Sequence, residues 1–297
     1  MYTMYNFEIK SDKNNIILKN VPDFDLRHIF DCGQCFRFNC TSEGTYEGVA
    51  FGKALRISQQ GDEVILYETS EEDFKNIWYS FFDLGRDYGE IKKRVSCDEA
   101  MSEASEYGFG IRILKQELWE TLISFIISAS NNIPRIKGIV ERLCEGFGER
   151  ITYMGREYHT FPSPDRIASL TKEELSVIRA GFRDKYILDA AKRIVSGEIS
   201  LEYIQSLPTP DAKAELMKIS GVGNKVSDCI LLFGLNRADS FPVDVWIKRI
   251  MEYCYFGREA SIKEVSELAN EKFGELGGFA QQYLFFWARD NKIGTGE

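Results

Sequence analysis

Histidine is almost missing from this sequence: His28 and His159 are the two in 297 residues. Metal-ion catalysis through histidine ligands is therefore not expected, and a Ser-His-Asp or Cys-His mechanism would have to use one of these two. Cysteine pairing is missing as a pattern. Cys32, Cys35, Cys40, Cys97, Cys144, Cys229 and Cys254 are odd in number and scattered, which reads as free thiols rather than a disulfide framework. Cys32 and Cys35 form a Cys-x-x-Cys, but no second pair or histidine follows at zinc spacing. Long apolar runs are missing too. The longest, 122–127 and 230–235, fall far short of the ~18 residues a membrane span needs. The opening residues, MYTMYNFEIKSD, lack the basic start and apolar core of a secretory leader. The expectation is a soluble intracellular protein with no membrane partner, in the cytoplasm or nucleoid if the source is prokaryotic.

A net positive charge is also lacking, since the formal charge is −9. Its distribution matters more than its sum. Residues 1–110 carry 12 Lys and Arg against 20 Asp and Glu, whereas residues 111–297 carry 25 against 26. The acidity sits in the front third, which leaves room for a basic face behind it. Charge neither requires nor excludes a nucleic-acid partner.

What is present is enough apolar material for a real core, 44% hydrophobic residues beside 28% charged. The length suits two domains or one large one. Residues 1–110 read as a β-rich domain, with short alternating runs at 16–18, 45–49, 54–57 and 64–67 separated by Asn-Asn, Glu-Gly, Phe-Gly and Gly-Asp turn signals. From residue 111 the period changes to 3.6. Leu114, Leu118, Leu122 and Ile126 make one helical stripe. Helices are then expected near 134–147, 164–169, 172–180, 185–196, 200–207, 211–219, 224–233, 245–255, 262–273 and 280–290. Thr171-x-x-Glu174 is a capping box. The expected fold class is α+β, an antiparallel β-sheet domain at 1–110 followed by an all-helical body at 111–297.

The most informative stretch is Lys218-Ile-Ser-Gly-Val-Gly-Asn-Lys225-Val-Ser-Asp-Cys229. Gly221 and Gly223 flank Val222, which permits a tight turn between two helices. The backbone N–H groups and positive dipole end at the start of the second helix form an anion site suited to a phosphate. Alone, this is also an ordinary helical connection. Nineteen residues after Lys225, Phe241-Pro-Val-Asp244 sets a capping carboxylate at the head of another helix. A lysine and a carboxylate so placed form a plausible nucleophile pair, because dipole and desolvation both favour the neutral amine. Cys229 shares a face with Lys225 at i+4.

These residues, with Phe-Pro-Val-Asp-Val, resemble the helix–hairpin–helix, Gly/Pro-loop and Asp motif of base-excision DNA glycosylases, spanning about 211–250 here. Within that superfamily the chain resembles the 8-oxoguanine DNA glycosylase/AP lyase branch, as a prokaryotic member. Three further stretches agree: Cys32-Gly33-Gln34-Cys35-Phe36-Arg37, Ser130-Asn131-Asn132-Ile-Pro-Arg135, and Gly278-Phe-Ala-Gln281-Gln-Tyr-Leu-Phe285. The resemblance implies that Lys225 attacks C1′ of a flipped nucleotide and leaves a Schiff base, after which β-elimination cuts the strand. Asp244 would stabilise the developing positive charge. The carbonyl of Gly33 would accept the N7 proton that distinguishes 8-oxoguanine from guanine. Gln281 would take the Watson–Crick edge, with Phe285 and Cys229 on the two faces of the base. Asn131, Asn132 and Arg135 would reach into the gap, Phe182 would fill the stack, and Arg183 would donate to the estranged cytosine. Gly221, Val222 and Gly223 would hold a phosphate.

The chain also departs from the family. Ser130 stands where the eukaryotic pattern has a third asparagine. Trp246 replaces a phosphate-binding histidine, and Ala288 replaces that histidine's acidic partner. The resemblance implies double-stranded DNA containing oxidised guanine as the partner and no cofactor or metal; a monomer is the default expectation, since one active site serves one lesion. Alternatives are a glycosylase of the same superfamily for another lesion, or a non-catalytic helix–hairpin–helix DNA-binding protein. An iron–sulfur member needs four C-terminal cysteines, and only Cys254 follows Cys229. Alkylpurine members lack the hairpin lysine, and a pure binder gives no reason for Lys225, Asp244, Gln281 and Phe285 together.

Overall fold

A computed structural model describes residues 7–294; the first six residues, part of the segment read as lacking a leader, lie outside them. The front of the chain forms an antiparallel sheet of β1 (Glu8–Asp12), β2 (Asn15–Lys19), β3 (Asn39–Ser42), β4 (Thr45–Ala50), β5 (Lys53–Gln60) and β6 (Glu63–Leu66), in the order β1-β2-β6-β5-β4-β3. The alternating runs became the inner strands, because their period of two turns one face inward. Ile16 and Leu18 of β2, Leu55 and Ile57 of β5, and Val64 and Leu66 of β6 are buried together under Phe30, Phe38, Trp78, Phe81 and Phe82. β1 and β3, absent from the sequence reading, are edge strands. They are almost wholly solvent-facing and carry no apolar alternation to detect.

The rest is a helical body with a second core. Two helices from the front, Tyr88–Val95 and Glu99–Tyr107, belong to that core, as do Cys32 and Phe36. The stripe expected from Leu114 begins as helix only at Leu118–Ser128. Before it, residues 111–117 run without regular structure between the two cores. Arg112 is fully buried there and donates to the carbonyls of Pro22, Asp23 and Asp83, which ties this segment to the front of the chain. The helical body also contains a small β-hairpin, β7 (Arg150–Tyr153) and β8 (Arg156–His159), turning through Met154 and Gly155 at positive φ. Tyr153 donates to Tyr67 O at 2.6 Å and Tyr158 to Glu47 at 2.9 Å, so the hairpin clasps the front sheet. The capping box at Thr171 and Glu174 is present, but its helix ends at Leu175 and the chain turns left-handed at Arg179.

Candidate active site

Helices Thr209–Leu216 and Asn224–Gly234 form the expected hairpin. Gly221 has φ +86°, and a Cβ there would lie 2.7 Å from the Tyr186 ring, so only glycine fits. Val222 is buried under the turn and its N–H donates to Ile219 O at 3.0 Å. Lys213 reaches Asp228 at 2.7 Å and pins the two helices to each other. Burial pushes the Asp228 carboxyl upward while Lys213 opposes it. Helix Asn224–Gly234 starts at Gly223 with no side-chain cap, which leaves its first N–H groups for an external acceptor.

At the second residue of this helix, Lys225 points inward. Its Nζ lies 3.4 Å from Ser128 Oγ and 5.4 Å from the centre of the Phe125 ring. Phe125 in turn stacks on Phe233 at 5.3 Å, which docks the hairpin helix on Leu118–Ser128. Cys229, one turn on, is buried, and burial pushes its thiol up to about 11 against the pull of the Lys225 charge. Asp244 caps helix Val245–Met251, its Oδ1 accepting from Ile247 N at 2.8 Å. Burial raises its pKa above the usual carboxylate value, with the N–H groups of Ile247 and Trp246 and the charge of Lys225 pulling the other way.

Both groups line one cleft of about 50 Å³ with Cys32, Gly33, Cys229, Gln281, Gln282 and Phe285. Gly33 adopts φ +81°, and a Cβ on it would stand 3.2 Å from the Phe285 ring and 3.4 Å from Ile133. The backbone here therefore touches the aromatic wall directly. Gln281 is buried and its Oε1 has no hydrogen-bond partner among the described residues. A buried amide oxygen left bare costs free energy unless something enters to satisfy it. The space is far smaller than the usual pocket for a small-molecule ligand, so the cleft must widen before a flat ring can enter. A larger cavity of about 750 Å³, beside Asp98, Tyr255 and Trp287, contains none of the expected site residues.

The structure treats the remaining residues unequally. Phe182 is 58% exposed at a turn above helix Asp184–Val195. Arg135 and Asn132 are exposed, Asn132 capping helix Ile133–Phe147 by accepting from Arg135 N at 3.0 Å. Asn131 donates to Ile127 O at 3.1 Å. Trp246 is half-buried, with the Arg249 guanidinium 5.9 Å from its ring. Arg183 is only 2% exposed. Its donors go to the carbonyls of Ala129, Ala180 and Ser130, the last at 3.0 Å, and its face lies 4.4 Å from the Phe182 ring centre. It braces the 129–132 turn rather than projecting from it. Sequence reasoning missed Ser128, Phe125, Phe233, Pro242, Cys32 and Gln282. The Gln-Gln doublet inside the apolar run GFAQQYLFFW was the one available signal for Gln282.

The chain is similar to known DNA glycosylases. Residues 16–122 match the family model described as 8-oxoguanine DNA glycosylase, N-terminal domain, and residues 123–275 match HhH-GPD superfamily base excision DNA repair protein. The structure superposes with TM-score 0.94 on the 8-oxoguanine glycosylase/lyase of Clostridium acetobutylicum in complex with DNA containing cytosine opposite 8-oxoG. That protein is 45% identical, over 97% of this chain and 100% of that one. The N-glycosylase/DNA lyase OGG1 of Arabidopsis thaliana is 30% identical over 86% of this chain and 75% of its own length. The N-glycosylase/DNA lyase of Saccharomyces cerevisiae is 34% identical over 64% and 60%.

Proposed function

We propose that this chain, which belongs to the HhH-GPD superfamily of base excision DNA repair proteins, does its work through Lys225 and Asp244. It is a bifunctional 8-oxoguanine DNA glycosylase and AP lyase that acts on double-stranded DNA. The observation that carries the assignment of residues is their convergence: Lys225, Asp244, Gly33, Cys229, Gln281 and Phe285 line a single cleft.

In this reading a nucleotide leaves the stack and its base enters between Cys229 and Phe285. Lys225 Nζ bonds to C1′ as the C1′–N9 bond breaks, and the base departs with a proton. The Asp244 carboxylate, fixed by its capping bond to Ile247, faces the positive charge that builds on the sugar. Loss of the ring oxygen from C1′ gives an imine. The imine acidifies C2′, and proton loss there expels the 3′ phosphate. Gln281 answers its bare Oε1 with the Watson–Crick edge of the base, and the Gly33 carbonyl accepts the N7 proton. Uncapped N–H groups at Gly223 and its neighbours hold a backbone phosphate, with Gly221 and Val222 shaping the turn. Trp246 takes the place of a phosphate ligand near Asp244. Phe182 fills the vacated stack, while Arg135, Asn131 and Asn132 form the side facing the estranged cytosine, on a turn that Arg183 braces from behind. The protein acts as a monomer inside the cell.

Borohydride trapping tests the assignment on a duplex with one 8-oxoguanine opposite cytosine. Wild type is expected to give a covalent adduct. Lys225→Gln is expected to give none while still binding the duplex, because the hairpin phosphate site is made of backbone groups. An adduct from Lys225→Gln would move the nucleophile elsewhere. Base release without an adduct from wild type would leave a water-using glycosylase centred on Asp244.

A further inference from the structure

The base pocket joins two parts of the chain that meet only in three dimensions, the Cys32–Gly33 loop and helix Gly277–Asn291. One buried hydrogen bond links them directly: Gln282 Nε2 donates to Cys32 O at 2.7 Å. We propose that Gln282 is a positioning residue for lesion recognition, which aims the Gly33 carbonyl by holding the peptide before it. This rests on the reading that the Gly33 carbonyl accepts the N7 proton of the lesion.

A peptide group moves as a rigid plane. Fixing the Cys32 carbonyl fixes the Cys32–Gly33 plane, and the two Gly33 dihedrals alone then aim the next carbonyl. Glycine is the least restrained residue at such a point, so its flanks must supply the restraint. The far flank is already clamped. Gln34 Nε2 donates to Ile29 O and Arg112 O at 2.8 Å each, its Oε1 accepts from Leu114 N at 2.9 Å, and its carbonyl accepts from Gln116 at 2.8 Å. On the near flank Cys32 Sγ reaches Ile29 O, which leaves the carbonyl itself to Gln282. The helix that provides this donor also presents Gln281 and Phe285. One bond therefore sets the acceptor and its partners at a common spacing. The doublet divides its labour: the Gln281 oxygen is bare in the cleft, whereas the Gln282 amide is committed to the scaffold. A leucine or methionine would pack as well at 282 but could not orient a carbonyl.

The test compares two activities of one active site. Single-turnover rates are measured for 8-oxoguanine excision and for cleavage at a preformed abasic site, which has no base to place in the pocket yet uses the same lysine. Gln282→Met removes the donor at similar length, and its ratio of excision to abasic-site cleavage is expected to fall about tenfold or more. Gln282→Glu is expected to lose the ratio at neutral pH, where a carboxylate opposes the Cys32 carbonyl, and to regain it as pH falls and the protonated acid donates. An unchanged ratio in Gln282→Met, or equal loss of both activities, overturns the proposal. Binding of 8-oxoguanine and guanine duplexes in a Lys225→Gln background separates the two readings. If that protein does not discriminate, the reading of the Gly33 carbonyl fails. If it discriminates and Gln282→Met in the same background discriminates equally, the positioning role alone fails.

Discussion

The two halves of the cleft are built on different principles. The catalytic half comes from residues 209–251, and each of its features is local: a glycine turn, an uncapped helix start, a lysine one turn from a cysteine, an aspartate capping its own helix. The recognition half joins Gly33 to Gln281 and Phe285 from opposite ends of the chain through long-range contacts. Local geometry survives small shifts between the two cores, but an acceptor aimed at one proton does not. Chemistry at an abasic site should therefore tolerate changes that abolish selection of the damaged base.

The largest effect short of losing the nucleophile should come from Asp244→Asn. Asparagine caps a helix as well as aspartate, so the urea midpoint should barely move. Single-turnover excision should fall about a hundred- to a thousandfold, and near-normal excision would remove the carboxylate from the chemistry. Burial raises the Asp244 pKa above its ordinary 3.8, so the ionised form disappears early as pH falls. The acid limb of the wild-type rate profile should sit above 3.8 and vanish in the variant.

Gly33→Ala probes the other half. The added methyl must sit at φ +81° against Phe285 and Ile133, and excision should fall about ten- to a hundredfold with abasic-site cleavage less affected. Equal losses would erase the distinction between the halves. Arg135 and Arg183 sharpen it further. Replacing either by alanine should relax the preference for cytosine over adenine opposite the lesion by about tenfold, Arg135 by loss of an exposed donor and Arg183 by loosening the turn it braces. Only Arg183→Ala should also destabilise the fold, by about 2–4 kcal/mol, because its guanidinium is buried on the turn carbonyls. A wild-type melting curve for that variant would show that the bonds do not brace the turn.

The smallest effect on activity is expected at Glu120, where front and body meet. Its carboxyl lies 3.8 Å from the Arg37 guanidinium, and burial pushes it up to about 7. The folded protein therefore holds this proton more tightly than the unfolded chain. That stabilisation is present below the ordinary value of 4.5 and is lost as pH rises through about 7. Urea midpoints of wild type should decline over that window, and Glu120→Gln should remove about 1–3 kcal/mol of the decline. A parallel decline in both proteins would place the titration elsewhere.

How much was legible follows the same division. The hairpin, the Asp244 cap and the inner strands were readable because a turn, a cap and an alternation are short-range signals. Gly33 and Phe285 were recognised by resemblance alone, since a turn glycine and a core phenylalanine look identical to them in isolation. Ser128 and Gln282 escaped because their meaning lies in a partner 97 or 250 residues away. Arg183 was read as a donor to the estranged cytosine, and nothing in its sequence neighbours announced that the carbonyls of Ala129 and Ser130 would take its guanidinium.

By itself the sequence determined the α+β order of elements, the hairpin, and the presence of a lysine and a carboxylate at two helix starts. Each depends on dihedral preferences and periodicities that act within a few residues. Only the tertiary structure decided which residues share the cleft, that Gln281 keeps a bare oxygen, that Gln282 holds the Cys32 carbonyl, and that Arg112 crosses between the cores out of helix. Those outcomes depend on which distant surfaces exclude water together, and on the partners that buried polar groups find when they do.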